Sequence, residues 1–107
     1  MKALLISIFI LFSIGFLFSA PGDLIWRYQT GSGVHSSPCV ANGVVYVGSD
    51  DSYLYAINSS AGTLKWRYKT GDRVYSSPCV SEGVVYVGSE DDYLYAINCS
   101  DGSLKWR

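Results

Sequence analysis

The sequence has little of several features that often indicate a function. It carries one histidine, three cysteines and three prolines, and it has no D-x-D-x-D-G run of the kind that forms a calcium loop. Eight Lys and Arg residues nearly balance nine Asp and Glu residues, so the formal net charge is −1. Because neither sign dominates, the composition gives no indication of a nucleic-acid partner.

A long apolar run occurs at the N-terminus. After Met1 and Lys2, residues 3–20 are almost all apolar and are interrupted only by Ser and Gly. This pattern is typical of a secretory signal peptide, although no small-x-small cleavage motif precedes Ala20. Eighteen residues also approach the length of a membrane-spanning helix. Residues 1–20 are therefore predicted to form an apolar helix that is either a removed signal peptide or a retained signal anchor. Both alternatives predict export, to an extracellular or periplasmic location or to the outer face of the cytoplasmic membrane.

The rest of the chain is an internal repeat with a period of forty residues. Trp26, Trp66 and Trp106 mark the period, and each lies in a Leu-x-Trp-Arg segment. Residues 24–63 and 64–103 align without gaps and are identical at 28 of 40 positions. A fixed period of this length predicts a repeat architecture in which neighbouring units cover each other.

Each unit divides into four short segments of strand character. In the first unit these are residues 36–40, 44–49, 53–58 and 64–69. The first segment contains Pro38, which restricts it to a sheet edge, and the Asn42-Gly43 pair after it favours a tight hairpin. The two middle segments are apolar on both faces and must be covered on both sides. The fourth alternates apolar with Lys or Arg, as a half-exposed outer strand does.

These patterns predict an all-β fold, in which four-stranded antiparallel blades form a partial propeller after the N-terminal apolar helix. The predicted boundaries are residues 24–30 for an extra Trp strand, residues 34–70 for repeat one and residues 74–107 for repeat two. Both ends of residues 21–107 then carry the same Trp strand, which we interpret as the mark of an unfinished ring. The expected partners are further blades, other copies of the chain or another exported protein, with membrane contact only through residues 1–20 if they are uncleaved.

Each unit also contains one spaced set of small and aromatic residues. In the two copies the set is Ala56-x-Asn58-x-x-Ala61-Gly62-x-x-x-Trp66 and Ala96-x-Asn98-x-x-Asp101-Gly102-x-x-x-Trp106. It resembles the tryptophan-docking motif A-x-D-x-x-T-G-x-x-x-W of the PQQ-like (pyrroloquinoline-quinone-type) propeller repeats. The resemblance implies that the Trp stacks between neighbouring blades, where Ala and Gly permit close approach of the backbone. Trp26 keeps only Gly22 of this motif.

The family resembled includes quinoprotein dehydrogenases, which hold a calcium-bound quinone, and an outer-membrane assembly lipoprotein that holds partner proteins. This chain has no vicinal cysteine pair and too few blades for a ring, so we expect neither catalysis nor a cofactor. No Cys precedes Cys39, so lipid anchoring is not expected. The predicted function is an exported, non-catalytic protein-binding or scaffolding module, and the alternative is a fragment of a PQQ-dependent dehydrogenase.

The remaining polar residues are given structural roles. His35 is replaced by Tyr75 in the second copy and, as a single histidine without a partner, is expected to have no catalytic role. The clusters at residues 50–51 and 90–92 are predicted to be solvated hairpin tips rather than metal sites. Asn58 and Asn98 lie in N-x-S sequons and are possible glycosylation sites, but turn geometry is the favoured explanation for both.

The three cysteines are expected to be unpaired. Cys39 and Cys79 occupy equivalent positions in the two copies, and equivalent positions on adjacent blades are usually too far apart for a disulfide. They are predicted to be small buried residues. Cys99 stands in a turn where the first copy has Ser59 and is the odd thiol of an exported chain.

Overall fold

The computed structural model describes residues 20–107, so the apolar helix and signal segment predicted for residues 1–20 lies outside the described residues except for Ala20. The described part consists of strands and turns. Within it, no helix has the length and apolar character needed to cross a bilayer.

Eight strands form two antiparallel sheets of four, each in simple chain order. The first sheet contains β1 (Cys39–Ala41), β2 (Val44–Gly48), β3 (Tyr53–Asn58) and β4 (Leu64–Lys69). The second contains β5 (Cys79–Ser81), β6 (Val84–Gly88), β7 (Leu94–Asn98) and β8 (Leu104–Trp106). The prediction of an all-β fold built from four-stranded antiparallel units is confirmed.

The strand ends follow from backbone chemistry. β1 begins at Cys39, directly after Pro38, because proline has no N–H group to donate to the ladder. β1 is therefore shorter than the strand segment predicted for residues 36–40 and begins later. Asn42 and Gly43 have φ values of 49° and 76°, the pair of left-handed conformations that a two-residue hairpin turn requires. Glu82 adopts the same φ of 49° at the equivalent position, so the turn geometry persists without Asn.

Residues 24–30, predicted as an extra strand, are not part of a sheet in the structure. The fourth strand of a unit pairs with the third strand of the same unit, as β4 pairs with β3. Among residues 20–107, no such third strand precedes residue 24, so this segment has no ladder to join. The side chains of the segment nevertheless pack on the first sheet.

The two sheets are stacked face to face. The main cluster joins five residues of the first sheet to four of the second and to Val74 between them, namely Val44, Tyr46, Leu54, Ala56, Trp66, Val85, Val87, Tyr95 and Ile97. On the opposite face of the first sheet, Val47, Tyr55 and Ile57 form a smaller cluster against Trp26 and Tyr28. The first sheet is therefore covered on both faces, as its apolar strands predict.

The stacking makes identical residues differ in exposure. Leu54 is fully buried while its repeat equivalent Leu94 is 54% exposed, and Trp66 is 8% exposed while Trp106 is 45% exposed. The second sheet covers Leu54 and Trp66, whereas no described residue covers Leu94 and Trp106 in the same way. Part of one apolar face of the second sheet, at Leu94 and Trp106, is therefore open to solvent.

Candidate functional site: the tryptophan docks

Trp66 reaches the second sheet from an irregularity in β4. The ladder pairs Ala56 with Trp66 and Ile57 with Leu64, which leaves Lys65 as an extra residue in a β-bulge. A bulge bends its strand and changes the direction of the side chains beside it. The same irregularity recurs at the equivalent position between β7 and β8. The bulge therefore lies directly beside the Trp in both units, and in the first unit it directs Trp66 to the second sheet.

The Trp66 indole lies flat against a backbone turn of the second sheet. A Cβ atom at Gly102 would lie 2.6 Å from Cδ2 of Trp66, which is closer than any real side chain allows. The φ of Gly102 is +76°, a conformation that glycine adopts without steric cost. The indole Nε1 donates a hydrogen bond of 2.8 Å to the carbonyl oxygen of Cys99. Contact area and a directed hydrogen bond together fix the position of this ring.

The same dock exists one unit earlier. Trp26 lies against Gly62, where a Cβ would be 2.6 Å from the ring and φ is +71°. Its Nε1 donates to the carbonyl oxygen of Ser59 at 2.7 Å. Trp26 thus contacts the first sheet in the way that Trp66 contacts the second. Trp106 has no such dock among the described residues.

Asn58 and Asn98 hold the turns that carry the docking glycines. The Asn58 backbone N–H donates to the carbonyl oxygen of Thr63 at 2.8 Å, and the Gly62 N–H donates back to the Asn58 carbonyl at 2.8 Å. The side-chain Nδ2 of Asn58 donates to Thr63 Oγ1 at 3.0 Å, and Asn98 makes the same bond to Ser103 Oγ. Both sequon asparagines are thus engaged in turn geometry.

Asp51 is a second link between units, and the expectation of a solvated hairpin tip at this residue is wrong. Its carboxylate accepts hydrogen bonds from the Gly31 N–H at 2.8 Å, the Tyr53 N–H at 3.0 Å and the Tyr55 hydroxyl. Burial alone would raise the pKa of Asp51, but these hydrogen bonds outweigh it and hold the pKa below its usual range.

The second unit repeats this carboxylate link. Asp91 accepts from the N–H groups of Gly71 and Tyr93 and from the hydroxyl of Tyr95. Burial again opposes the hydrogen bonds, and the pKa of Asp91 is also lowered. The identical D-x-Y-x-Y spacing in both copies is the sequence signal that could have identified the two aspartates as structural partners.

His35 has a partner that the sequence did not reveal. Its Nδ1 lies 3.1 Å from Oδ2 of Asp50, and its ring lies 5.3 Å from that of Tyr75, centroid to centroid. In the second unit, Glu90 stands at the position of Asp50 and pairs at 2.8 Å with Arg73, which stands at the position of Gly33. The expectation that His35 lacks a partner is therefore wrong, and the expectation that it has no catalytic role stays a prediction. Within residues 20–107, no three His, Cys, Asp or Glu side chains lie close enough together to hold a metal ion.

The three cysteines are free thiols, but the burial of two of them differs from the expectation. Cys79 is exposed and Cys39 is only half-buried, because β1 and β5 are short edge strands. Cys99 is half-buried and lies in a turn, as predicted. Cys99 and Tyr46 line a cavity of about 340 Å³ between the two sheets. Burial raises the pKa of Tyr46, and a hydrogen bond with Cys99 raises it further.

Known proteins share this arrangement. The family model described as outer membrane protein assembly factor BamB matches residues 15–107. No curated protein sequence matches the chain. Among solved structures, BamB from Moraxella catarrhalis superposes with a TM-score of 0.72 at 16% identity, over 79% of this chain and 27% of its own. A europium-containing methanol dehydrogenase gives 0.69 at 18% identity, over 77% of this chain and 18% of its own.

A third similar structure is the quinohemoprotein alcohol dehydrogenase ADHIIG from Pseudomonas putida HK5. It is 30% identical, with a TM-score of 0.66, over 76% of this chain and 14% of its own. The chain thus spans between 14% and 27% of the length of these solved relatives. The family model covers most of the chain, and the docked tryptophans lie inside the matched residues. The chain therefore belongs to the PQQ-like β-propeller repeat family whose model is described as outer membrane protein assembly factor BamB.

Proposed function

We propose that this chain is an exported, non-catalytic propeller segment that binds protein partners through the open face of the second sheet. The observation that carries the proposal is the difference in exposure between Leu54 and Leu94 and between Trp66 and Trp106. A sheet face with an exposed Trp and an exposed Leu is typical of a protein contact, because aromatic anchors contribute much of the binding energy at such surfaces.

The partner is further propeller blades, another copy of the chain or another exported protein. The matched family is described as an assembly factor of the outer membrane, which supports both a protein-binding role and export. The apolar residues 3–20 support export independently. Docking of a blade on this face would cover Leu94 and Trp106 as the second sheet covers Leu54 and Trp66.

The alternative function is a segment of a quinoprotein dehydrogenase. The observation that favours it is the likeness to two quinohemoprotein alcohol dehydrogenases, at 29% and 30% identity. The two functions differ in their ligands. A dehydrogenase segment would respond to pyrroloquinoline quinone and calcium, and a scaffold would respond to protein.

Two measurements separate these functions. In the first, thermal unfolding of the full chain is followed with and without pyrroloquinoline quinone plus calcium. The scaffold predicts an unchanged midpoint, and a midpoint that rises with quinone concentration would favour the dehydrogenase. In the second, a photo-crosslinking amino acid replaces Leu94, with position 82 at an exposed hairpin turn as the control. The scaffold predicts defined protein adducts from position 94 alone, and equal or absent adducts at both positions would contradict it.

A further inference from the structure

The positive charges of the described residues are concentrated in one part of the fold. The equivalent segments 24–30, 64–69 and 104–107, which we call the outer rim, hold six of the seven Lys and Arg residues that follow residue 20. None of the nine Asp and Glu residues lies in these segments. The net charge of −1 therefore conceals a separation of charge, with a cationic rim and carboxylates elsewhere.

The cations of β4 are exposed although layers lie on both faces of their sheet. Residues 24–30 pack on one face of the first sheet, and the second sheet packs on the other. Lys65, Arg67 and Lys69 are nevertheless exposed, because β4 is the edge strand of its sheet among the described residues. Their exposure thus comes from the place of β4 within the sheet and not from the ends of the chain.

Aromatic rings, rather than carboxylates, contact these cations. Cζ of Arg67 lies 4.3 Å from the centroid of the Tyr53 ring, and Nζ of Lys69 lies 5.8 Å from the same centroid. The second unit repeats the first of these contacts, with Cζ of Arg107 at 4.3 Å from the centroid of Tyr93. In the described part of the chain, both ion pairs involve other side chains, and no carboxylate pairs with a rim cation. Because an aromatic ring carries no net charge, the rim keeps its positive charge for an external anion.

The distribution of the cations favours a broad anionic surface over a small ligand. The cations come from three equivalent segments of successive layers, not from the walls of one groove. Apolar and aromatic side chains lie among them, since Leu64 is 40% exposed and Tyr93 is 46% exposed. Lys and Arg mixed with tyrosine and aliphatic side chains are typical of surfaces that bind the headgroup region of an anionic bilayer.

The sequence places an apolar run beside the rim. Residues 3–20 are almost all apolar, and only residues 21–23 separate them from the first rim segment. An extended chain spans at most about 3.5 Å per residue, so Ala20 and Arg27 lie no more than about 25 Å apart. A retained anchor would therefore hold the rim close to the bilayer, and after cleavage the rim cations alone would bind it reversibly.

We propose that the outer rim is a membrane-binding surface that contacts the headgroups of a bilayer containing anionic lipid. The contact is made through the six rim cations, namely Arg27, Lys65, Arg67, Lys69, Lys105 and Arg107. It goes beyond the proposed function, which concerns a protein contact at Leu94, and it is additional to any membrane contact of residues 1–20. A cation near such a surface raises the affinity by about fivefold, so several together give stable binding.

Lysine labelling on vesicles tests this contact in the full chain. Vesicles of phosphatidylcholine alone are compared with vesicles that also contain phosphatidylglycerol, and mass spectrometry measures how fast an amine-reactive reagent acetylates each lysine. The apolar residues 3–20 can enter either kind of vesicle, so the comparison isolates the effect of lipid charge. Lys65 and Lys69 should react several-fold more slowly on the phosphatidylglycerol vesicles, and high salt should remove this protection.

The control is a lysine on the opposite edge of the first sheet. Val40→Lys places it on β1, where Val40 is 64% exposed. This lysine should react at the same rate on both kinds of vesicle. Equal labelling of Lys65 and Lys69 on both vesicles, or equal protection of position 40, would overturn the proposal.

Charge variants test whether the rim cations carry the binding. Arg67→Gln and Lys69→Gln each remove one rim cation, and the matched control Arg73→Gln removes a cation that pairs with Glu90 outside the rim. Each rim variant should raise the vesicle concentration needed for half-protection of Lys65 by about fivefold, whereas the control should leave it unchanged. Equal effects of all three variants would overturn the proposal. Protection of Lys65 by soluble polyglutamate but not by vesicles would also overturn it, in favour of an acidic polypeptide partner.

Discussion

At the scale of the residue, two glycines with the same backbone conformation have different structural roles. Gly102 and Gly83 both have a φ of +76°, but a Cβ would lie 2.6 Å from the Trp66 ring at Gly102 and would meet nothing within 4 Å at Gly83. The conformational requirement is therefore the same at both positions, and only Gly102 is also required for packing.

Gly102→Ala should be more destabilising than Gly83→Ala. Both changes carry the strain of a left-handed residue with a side chain, about 1–2 kcal/mol, and Gly102→Ala adds a clash with Trp66 of about 1–3 kcal/mol. Chemical denaturation of the two variants measures the difference. Equal losses of unfolding free energy would show that Trp66 does not lie on Gly102.

Trp66→Ala should reduce the free energy of unfolding by about 3–5 kcal/mol, because it empties a buried site and removes the hydrogen bond to Cys99. Trp106→Ala is the matched control, since the same residue on the open face is 45% exposed. We expect the control to cost clearly less. Equal effects in denaturant unfolding would contradict the assigned burial.

Stability should fall in acid because Asp51 and Asp91 are held in their charged form. Their folded-state pKa lies below the usual value, so the unfolded chain binds more protons and stability declines as pH falls through the carboxyl range towards the lowered pKa. Asp51→Asn should flatten this dependence in thermal unfolding across acidic pH. Asp23→Asn, on the exposed segment before residue 24, is the control. An unchanged slope in Asp51→Asn would contradict the role of its hydrogen bonds.

At the scale of the element, the central strands of each sheet are the best protected. β2 and β3 have hydrogen-bonded neighbours on both sides and are buried on both faces. Residues 24–30 have no backbone partner among residues 20–107, and β8 has a ladder of two positions. The elements at the two ends of the stack are thus the least secured.

Amide hydrogen exchange should follow that order. Protection should be greatest in β2, β3, β6 and β7, lower in β1 and β5, and least in residues 24–30 and β8 of the isolated chain. Fast exchange in β3 would contradict the assigned sheet order.

Much of each sheet could be predicted from the sequence. The strand segments are short runs that are either apolar throughout or alternately apolar and polar, and turn residues separate one run from the next. The segment 53–58 was predicted with the bounds that β3 has in the structure. Residues 24–30 were predicted as a strand because they repeat the sequence of residues 64–70, but a strand also needs a partner, and none is present among the described residues. The Asp51 link was missed because a carboxylate beside a turn has the same local sequence whether it is solvated or receives hydrogen bonds from another unit.

At the scale of the whole molecule, the described structure is a stack of three layers, each joined to the next by one tryptophan and one aspartate. Residues 24–30 dock on the first sheet through Trp26 and Asp51, and the first sheet docks on the second through Trp66 and Asp91. The face of the second sheet with Leu94 and Trp106 is the surface that we propose to bind a partner. This repetition explains why 28 of 40 positions can be identical in the two units.

Nuclear magnetic resonance of Gly62 and Gly102 tests most directly whether successive layers dock through their tryptophans. Because the Trp66 ring lies on Gly102 and the Trp26 ring lies on Gly62, the account predicts nuclear Overhauser contacts between each indole and the Hα protons of its glycine. These Hα resonances should also be shifted upfield by the ring current, whereas those of Gly43 and Gly83, which have open space around them, should not. Unshifted Gly62 and Gly102 resonances without contacts to an indole would contradict the docking of successive layers.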